Sequence, residues 1–104
     1  PRVGATWEGA VIEECIRQMG KTMTPYFWRT SNGAELDLFL VRGDTRIGIE
    51  VKRTDAPRIT PSMRSALTDL QLHRLTVYYP GRRRYALSEQ IDVVPIAELD
   101  VPGN

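Results

Sequence analysis

The chain begins with apolar residues spaced as on one side of a helix. They form a single stripe on a helical wheel, made of Ile12, Cys15, Ile16 and Met19. Thr6 and Gly20 flank this stretch and are residue types that cap helices, so the pattern predicts a helix over about 7–19. Glu8 precedes Ile12 by four residues, which places its carboxylate on the apolar stripe.

The pattern then changes to alternation with a period of two. Three segments rich in β-branched and aromatic residues predict strands: TPYFWRT at 24–30, AELDLFLV at 34–41 and RIGIEVKR at 46–53. Asn32-Gly33 and Gly43-Asp44 separate them, and each pair predicts a two-residue hairpin turn. The three strands are therefore expected to form an antiparallel meander.

The second half of the chain predicts one further helix and shorter strands. SMRSALTDLQLH at 62–73 has helical spacing, and RLTVYYP at 74–80 is typical of a fourth strand. RRYAL at 83–87 predicts a short fifth strand, and IDVVPIAEL at 91–99 a last strand or turn, where Pro95 favours a sheet edge. The order α-β-β-β-α-β predicts one α/β domain with a mixed sheet flanked by helices.

Charged residues interrupt the second and third strands at alternating positions. Alternation puts three leucines of the second strand on one face: Leu36, Leu38 and Leu40. The charged side chains then share the opposite face: Glu35, Asp37, Glu50 and Lys52. Counting back from Gly43-Asp44 sets Asp37 opposite Glu50 and Glu35 opposite Lys52, with Cβ atoms about 4.5–5.5 Å apart.

Two interpretations of this charged face remain open. It is either a wet surface with a Glu35–Lys52 ion pair, or half of a site where a divalent cation offsets the repulsion between Asp37 and Glu50. Carboxylate oxygens favour Mg²⁺ or Mn²⁺. Glu8 is either a further metal ligand or an ordinary acid in a first helical turn. Trp28, expected opposite Asp37, favours a covered face.

Composition and charge narrow the class of protein. The chain has 104 residues, 41% of them hydrophobic, and a net charge of +1, as expected for one ordinary globular domain. It lacks an apolar run of about 18 residues, a signal-peptide pattern and a second cysteine, which together predict a cytoplasmic protein with Cys15 in its core. It also lacks an initiating Met, so we expect a piece of a longer protein. Residues 53–84 hold seven arginines and two acidic residues, which form either a phosphate-facing patch or a solvated surface.

The sequence ELD, followed by a turn and IEVK, resembles the PD-(D/E)xK nuclease superfamily, whose restriction-endonuclease-like core has this same element order. The resemblance implies Asp37, Glu50 and Lys52 as catalytic residues acting on DNA. It implies Mg²⁺ or Mn²⁺ held by Asp37, Glu50 and the Val51 carbonyl, with Glu8 from the first helix, and Lys52 beside the attacking water. It implies secondary roles for Glu35 and Gln71. It implies phosphate contacts for five arginines: Arg53, Arg58, Arg82, Arg83 and Arg84. Two positions depart from the family pattern: Leu36 replaces a usual Pro, and Leu75 replaces the Tyr that follows Gln71 in some helicase-associated members.

A closer resemblance covers almost the whole chain. The segments WEGAVIEECI, YFWRTSNGAELDLFL, IGIEVKR and VYYPGRRRYALSEQIDVVPIAEL are similar to the uncharacterised C-terminal domain of a group of bacterial and archaeal AAA-type ATPases. The resemblance implies that an ATPase part precedes the segment in the parent protein. The 104 residues contain no phosphate-binding GxxxxGK[ST] motif, so ATP hydrolysis is not expected of this segment itself. Two functions remain open: a Mg²⁺-dependent nuclease-like module serving the ATPase, or an inactive module that binds protein or nucleic acid.

Overall fold

The computed structural model describes residues 6–99 and confirms the expected α/β class. Two helices, α1 and α2, span Trp7–Met19 and Pro61–Asp69, and a short 3-10 helix covers Ile96–Glu98. The strands β1 to β6 are Thr24–Arg29, Glu35–Arg42, Thr45–Val51, Arg74–Tyr79, Tyr85–Ala86 and Ile91–Pro95. Neither α-helix in this part of the chain is long and apolar enough to cross a membrane.

One six-stranded mixed sheet contains all the strands, in the order β1-β2-β3-β4-β6-β5. β1, β2 and β3 form the expected antiparallel meander, whereas β3, β4 and β6 run parallel and β5 returns antiparallel to β6. α2 lies in the connection between β3 and β4. The strand ends at this side of the sheet therefore include the end of β3 and the start of β2, and the start of α2 lies beside them.

The helices cover opposite faces of the sheet. On the face covered by α1, the core is formed by Val11, Ile12, Cys15, Leu38, Leu40, Ile49 and Val51, with Tyr78, Val94 and Leu99. On the face covered by α2, it is formed by Leu36, Met63, Ala66, Leu72, Leu75, Val77, Tyr79, Ile91 and Val93. The sheet is thus a central layer, and a side chain's face decides which helix it packs against.

The helix boundaries follow from their caps. The Thr6 hydroxyl accepts a hydrogen bond from Gly9 N–H (2.9 Å), which starts α1 at the predicted position. The Thr60 hydroxyl accepts one from Met63 N–H (3.2 Å) and starts α2. The predicted helix over 62–73 is too long, because the backbone leaves helical geometry at Gln71, whose φ is +51°.

A β-bulge in β2 changes which residues share a face. Tyr26 pairs with Phe39 but Trp28 pairs with Leu36, so Asp37 and Leu38 lie opposite the single residue Phe27. Leu36 consequently packs on the α2 face, whereas Leu38 and Leu40 pack on the α1 face. The prediction of one shared face for Leu36, Leu38 and Leu40 is wrong for this reason.

The first hairpin loop also differs from the prediction. Arg29 pairs with Glu35, and Thr30 N–H donates to the Ala34 carbonyl (2.8 Å), so three residues, 31–33, form the loop. Gly33 has a φ of +95°, which glycine adopts without strain. Trp28 therefore lies opposite Leu36 and packs on the α2 face, and its predicted place opposite Asp37 is wrong.

Pro95 does not mark a sheet edge. β6 lies between β4 and β5, and the outer strands are β1 and β5. Pro95 is the last residue of β6, where it pairs with Tyr79. A proline is tolerated there because the ladder ends at that residue, so the missing N–H interrupts nothing beyond it.

Candidate active site

The four charged residues of the hairpin lie around one cavity. Together with two residues at the start of α2 they enclose about 380 Å³, lined by Glu35, Asp37, Glu50, Lys52, Thr60 and Ser62. We call this the carboxylate cavity. Its walls come from the start of β2, the end of β3 and the N-terminus of α2, three segments that lie together at one end of the strands.

Asp37 and Glu50 are each held by the backbone of the opposite strand. The ladder from Arg42–Thr45 to Leu38–Ile49 has the predicted register. Past it, Asp37 N–H donates to Glu50 Oε2 (2.9 Å), and Val51 N–H donates to Asp37 Oδ2 (2.8 Å). These crossed bonds fix both carboxylates without a neighbouring side-chain amide or hydroxyl.

The surroundings of Asp37 and Glu50 disfavour the charged form of each carboxylate. Glu50 is only 5% exposed. Burial, and then the charge of Asp37, raise the pKa of Glu50 to about 7. Burial also raises the pKa of Asp37, although the hydrogen bond from Val51 and the charge of Lys52 oppose that rise. Two carboxylates of raised pKa on adjacent strands are unusual for a solvated face and typical of functional sites.

Lys52 is the cation nearest to this pair. Its Nζ lies 3.4 Å from Glu50 Oε1, and its side chain is 37% exposed, so the ammonium reaches both the pair and solvent. The predicted Glu35–Lys52 ion pair is wrong, because Glu35 instead pairs with Arg29 across β1 and β2 at 3.6 Å. Glu35 remains on the wall of the carboxylate cavity.

Glu8 approaches Asp37 from the α1 side. It lines a second cavity of about 590 Å³ that also reaches Asp37 and Trp28. Its charge contributes to the raised pKa of Asp37. Within residues 6–99, however, no three His, Cys, Asp or Glu side chains form a group that could hold a metal ion. In this arrangement Glu8 is a charged neighbour of Asp37 and does not complete a three-residue ligand group.

The donor chemistry of the carboxylate cavity still fits a hard divalent cation. Asp37 and Glu50 offer carboxylate oxygens, and Val51, between Glu50 and Lys52, is the last residue of β3. Mg²⁺ in proteins commonly uses one or two carboxylates and keeps several waters, so it does not need a third acidic side chain. Asp37, Glu50 and the Val51 carbonyl are therefore the groups that would hold it.

Gln71 does not join the site. It lies beyond the end of α2, and its carbonyl accepts a hydrogen bond from Arg46 Nε (3.1 Å) near the start of β3. Because Glu50 is near the end of the same strand, Gln71 lies beside the opposite end of β3. The structure therefore places Gln71 away from the carboxylate cavity, where the secondary role that the resemblance implied for it would be exercised.

The arginines expected to contact phosphates are spread over several segments. Arg53 follows Lys52 and stacks over the Trp7 ring, with its Cζ 4.9 Å from the ring centroid. Arg58 is exposed in the connection before α2. Arg82, Arg83 and Arg84 follow β4, whose end lies beside that of β3. Of these, Arg84 forms an ion pair with Glu98 (2.7 Å), so part of this basic run is already engaged.

Sequence reasoning did not single out several residues that line these cavities, among them Thr60, Ser62 and Phe27. Thr60 and Ser62 line the carboxylate cavity, and Phe27 lines the second one. The Thr60-Pro61 pair is a helix-start signature that indicates α2 begins one residue earlier than predicted. No signal in the sequence points to Phe27, because its position depends on the bulge.

Comparison with known proteins gives a family and two relatives. Residues 3–99 match the family described as domain of unknown function DUF4143. Over 107 aligned residues the chain is 44% identical to the uncharacterized proteins Mb2031c of Mycobacterium bovis and Rv2008c of Mycobacterium tuberculosis. All of the chain is covered, but it spans only 23% of the length of either relative. No solved structure matches it significantly.

Proposed function

This chain belongs to the DUF4143 family, and we propose that it is a Mg²⁺- or Mn²⁺-dependent phosphodiesterase, a nuclease-like module that acts on DNA. The observation that supports this most is the pairing of half-buried Asp37 with buried Glu50, with Lys52 beside them. Two mutually repelling carboxylates in such a place destabilise a fold at a pH where both are ionised, and a bound cation offsets that repulsion. A site that binds a divalent ion gives a physical reason for that arrangement.

The residues around the carboxylate cavity have complementary roles in this proposal. Asp37 and Glu50, with the Val51 carbonyl, would hold the ion, and Glu8 would contact its water shell. When bound, the ion would supply Lewis-acid chemistry toward a phosphate oxygen and a water. Lys52, which reaches both Glu50 and solvent, would orient the attacking water and offset charge on the phosphate.

The proposal includes a partner on the same parent chain. The mycobacterial relatives are more than four times as long as the matched segment, since the chain spans 23% of them. The part of each relative outside the matched segment is long enough to contain an ATPase domain, which the closer sequence resemblance implies. We propose that the present domain acts on DNA that such an ATPase binds or moves.

A second candidate is a module of the same fold that binds a partner without cleaving it. The outer strand β1 supports this, because Tyr26 is 51% exposed and Phe27 is 65% exposed. Large aromatic side chains in such positions are enriched at interaction surfaces. In this case the carboxylate pair would be a remnant of catalysis or a site for ion binding alone.

The test is cleavage of plasmid DNA and single-stranded DNA by the 104-residue chain with Mg²⁺ or Mn²⁺. We expect activity in the wild type that EDTA abolishes. The cleavage rate of Glu50→Gln should fall at least about 100-fold, because the variant lacks a charged ligand for the metal ion. The cleavage rate of Lys52→Ala should fall about 100-fold or more, because general acid–base assistance is lost. Reaction rates follow from the loss of substrate on gels over time.

The matched control is Glu89→Gln, which makes the same chemical change at an exposed position outside either cavity. It should cleave at the wild-type rate. Full activity in Glu50→Gln or Lys52→Ala contradicts the site assignment. Absence of cleavage, together with no Mg²⁺ or Mn²⁺ binding by calorimetry, favours the binding module.

A further inference from the structure

The second cavity, which we call the β1 cleft, opens between the start of α1 and the outer strand β1. Glu8, Gly9 and Ile12 of α1 line one side, and Phe27, Trp28 and Arg29 of β1 line the other. Its volume of about 590 Å³ is in the range of ligand-binding clefts. Phe27 is the most exposed large hydrophobic residue within 6–99, at 65%.

The β1 cleft combines two kinds of planar group on one side of a strand. Phe27 and Arg29 are two residues apart in β1, so their side chains point to the same face. The Arg29 side chain is 79% exposed, and its ion pair with Glu35 spans 3.6 Å between exposed groups, which is a weak interaction. An aromatic ring and an available guanidinium are the two groups on which nucleic-acid bases stack.

The β1 cleft and the carboxylate cavity share part of their lining. Asp37 and Glu35 line both. The bulge places Phe27 of the β1 cleft opposite Asp37 and Leu38. A nucleotide chain whose phosphate sits at Asp37 would therefore place a neighbouring base at Phe27, while Glu8 on the facing wall offers a carboxylate acceptor for an exocyclic amino group.

From this geometry we infer that the β1 cleft binds an unpaired base, so that the substrate is a single-stranded nucleic acid or a frayed end. The inference rests on the proposed function for the phosphate at Asp37. A base inside a duplex is stacked on both faces and cannot lie on Phe27 without leaving the stack. The walls also carry Glu8 and Glu35, which suit a hydrogen-bonding base better than an apolar peptide.

The experiment measures binding separately from cleavage. Fluorescence anisotropy in Ca²⁺ buffer, where a hard divalent cation can offset the charge of the carboxylates, follows a short labelled single strand and its matching duplex on the 104-residue chain. We expect the wild type to prefer the single strand. Phe27→Ala should bind the single strand about 5- to 150-fold more weakly, which is the loss expected from removing one stacking partner. Duplex binding should change less than about twofold, within the noise of one weak contact.

Two variants control for general effects. Phe27→Tyr keeps an aromatic ring and should restore wild-type binding. Tyr85→Ala removes a partly exposed ring on β5, at the other edge of the sheet, and should bind normally. Phe27 is mostly exposed, so its truncation should leave the melting temperature nearly unchanged.

The outcomes separate this inference from the proposed function. Unchanged single-strand binding by Phe27→Ala, equal losses for strand and duplex, or no binding of either probe overturns the base site. Cleavage that depends on Glu50 together with one of those results leaves the proposed function standing alone. Binding of the single strand that depends on the Phe27 ring, with no cleavage by any variant, supports the base site and contradicts the nuclease.

Discussion

Glu50→Gln is expected to stabilise the fold at pH 8 by up to about 3 kcal/mol and to change it little near pH 4. Burial and the charge of Asp37 raise the pKa of Glu50 from 4.5 to about 7, and this gap corresponds to about 3 kcal/mol. A raised carboxyl pKa contributes stability that is complete below the unfolded-state pKa and is lost as pH rises through the folded-state pKa. The wild type should therefore weaken between about pH 4.5 and 7, whereas the neutral Gln avoids that loss.

Urea unfolding of both proteins at a series of pH values measures this difference directly. Glu89→Gln, at an exposed position, should follow the wild type at every pH. A Glu50→Gln curve that stays parallel to the wild type from pH 4 to pH 8 contradicts the raised pKa. The same variant is expected to lose cleavage, so a gain in stability together with a loss of activity would mark Glu50 as retained for function.

Leu38→Ala is expected to lower the free energy of unfolding by about 2–5 kcal/mol. Leu38 is fully buried, at 0% exposed, in the core between α1 and the sheet, so truncation leaves a cavity that close packing cannot fill. A domain of ordinary stability has about 5–15 kcal/mol in total, so this one change removes a large share. Chemical denaturation followed by tryptophan fluorescence measures the loss.

Val41→Ala is the matched control for Leu38. It is also an aliphatic truncation in β2, but Val41 is only half-buried. It should cost less than about 1.5 kcal/mol, because part of the removed surface already faces water. Equal losses for the two variants would contradict the complete burial of Leu38 in the core.

Local patterns were sufficient for most of the fold. The helical stripe and the capping Thr6 predicted α1 correctly, and the alternating segments predicted the meander and β4. These elements are decided by interactions between residues close in sequence. The overlong second helix has a different origin, because helical spacing continues through Leu70 while the backbone turns at Gln71. Leu72 is nevertheless buried, so its apolar character reflects the core and not a helix.

The candidate site was partly predictable for a related reason. The Gly43-Asp44 turn fixes the register of β2 against β3, so counting from it brought Asp37 and Glu50 together. The bulge has no such local signal, because the extra residue is accommodated only when β1 pairs with β2. The face predicted for Leu36 was wrong because of this bulge, whereas the partner predicted for Trp28 was wrong because the first hairpin loop has three residues instead of two.

Cys15 gives the protein an internal reporter of its own opening. It is the single cysteine in the sequence, it lies fully buried on the side of α1 that faces the sheet, and burial raises the pKa of its thiol to about 12. Thiol reagents attack thiolates, so the folded chain should react with them only during excursions that lift α1 from the sheet. The rate at which a thiol reagent modifies the Cys15 sulfur would thus report how often α1, the helix that carries Glu8, separates from the sheet. The measurement needs no substitution in the chain.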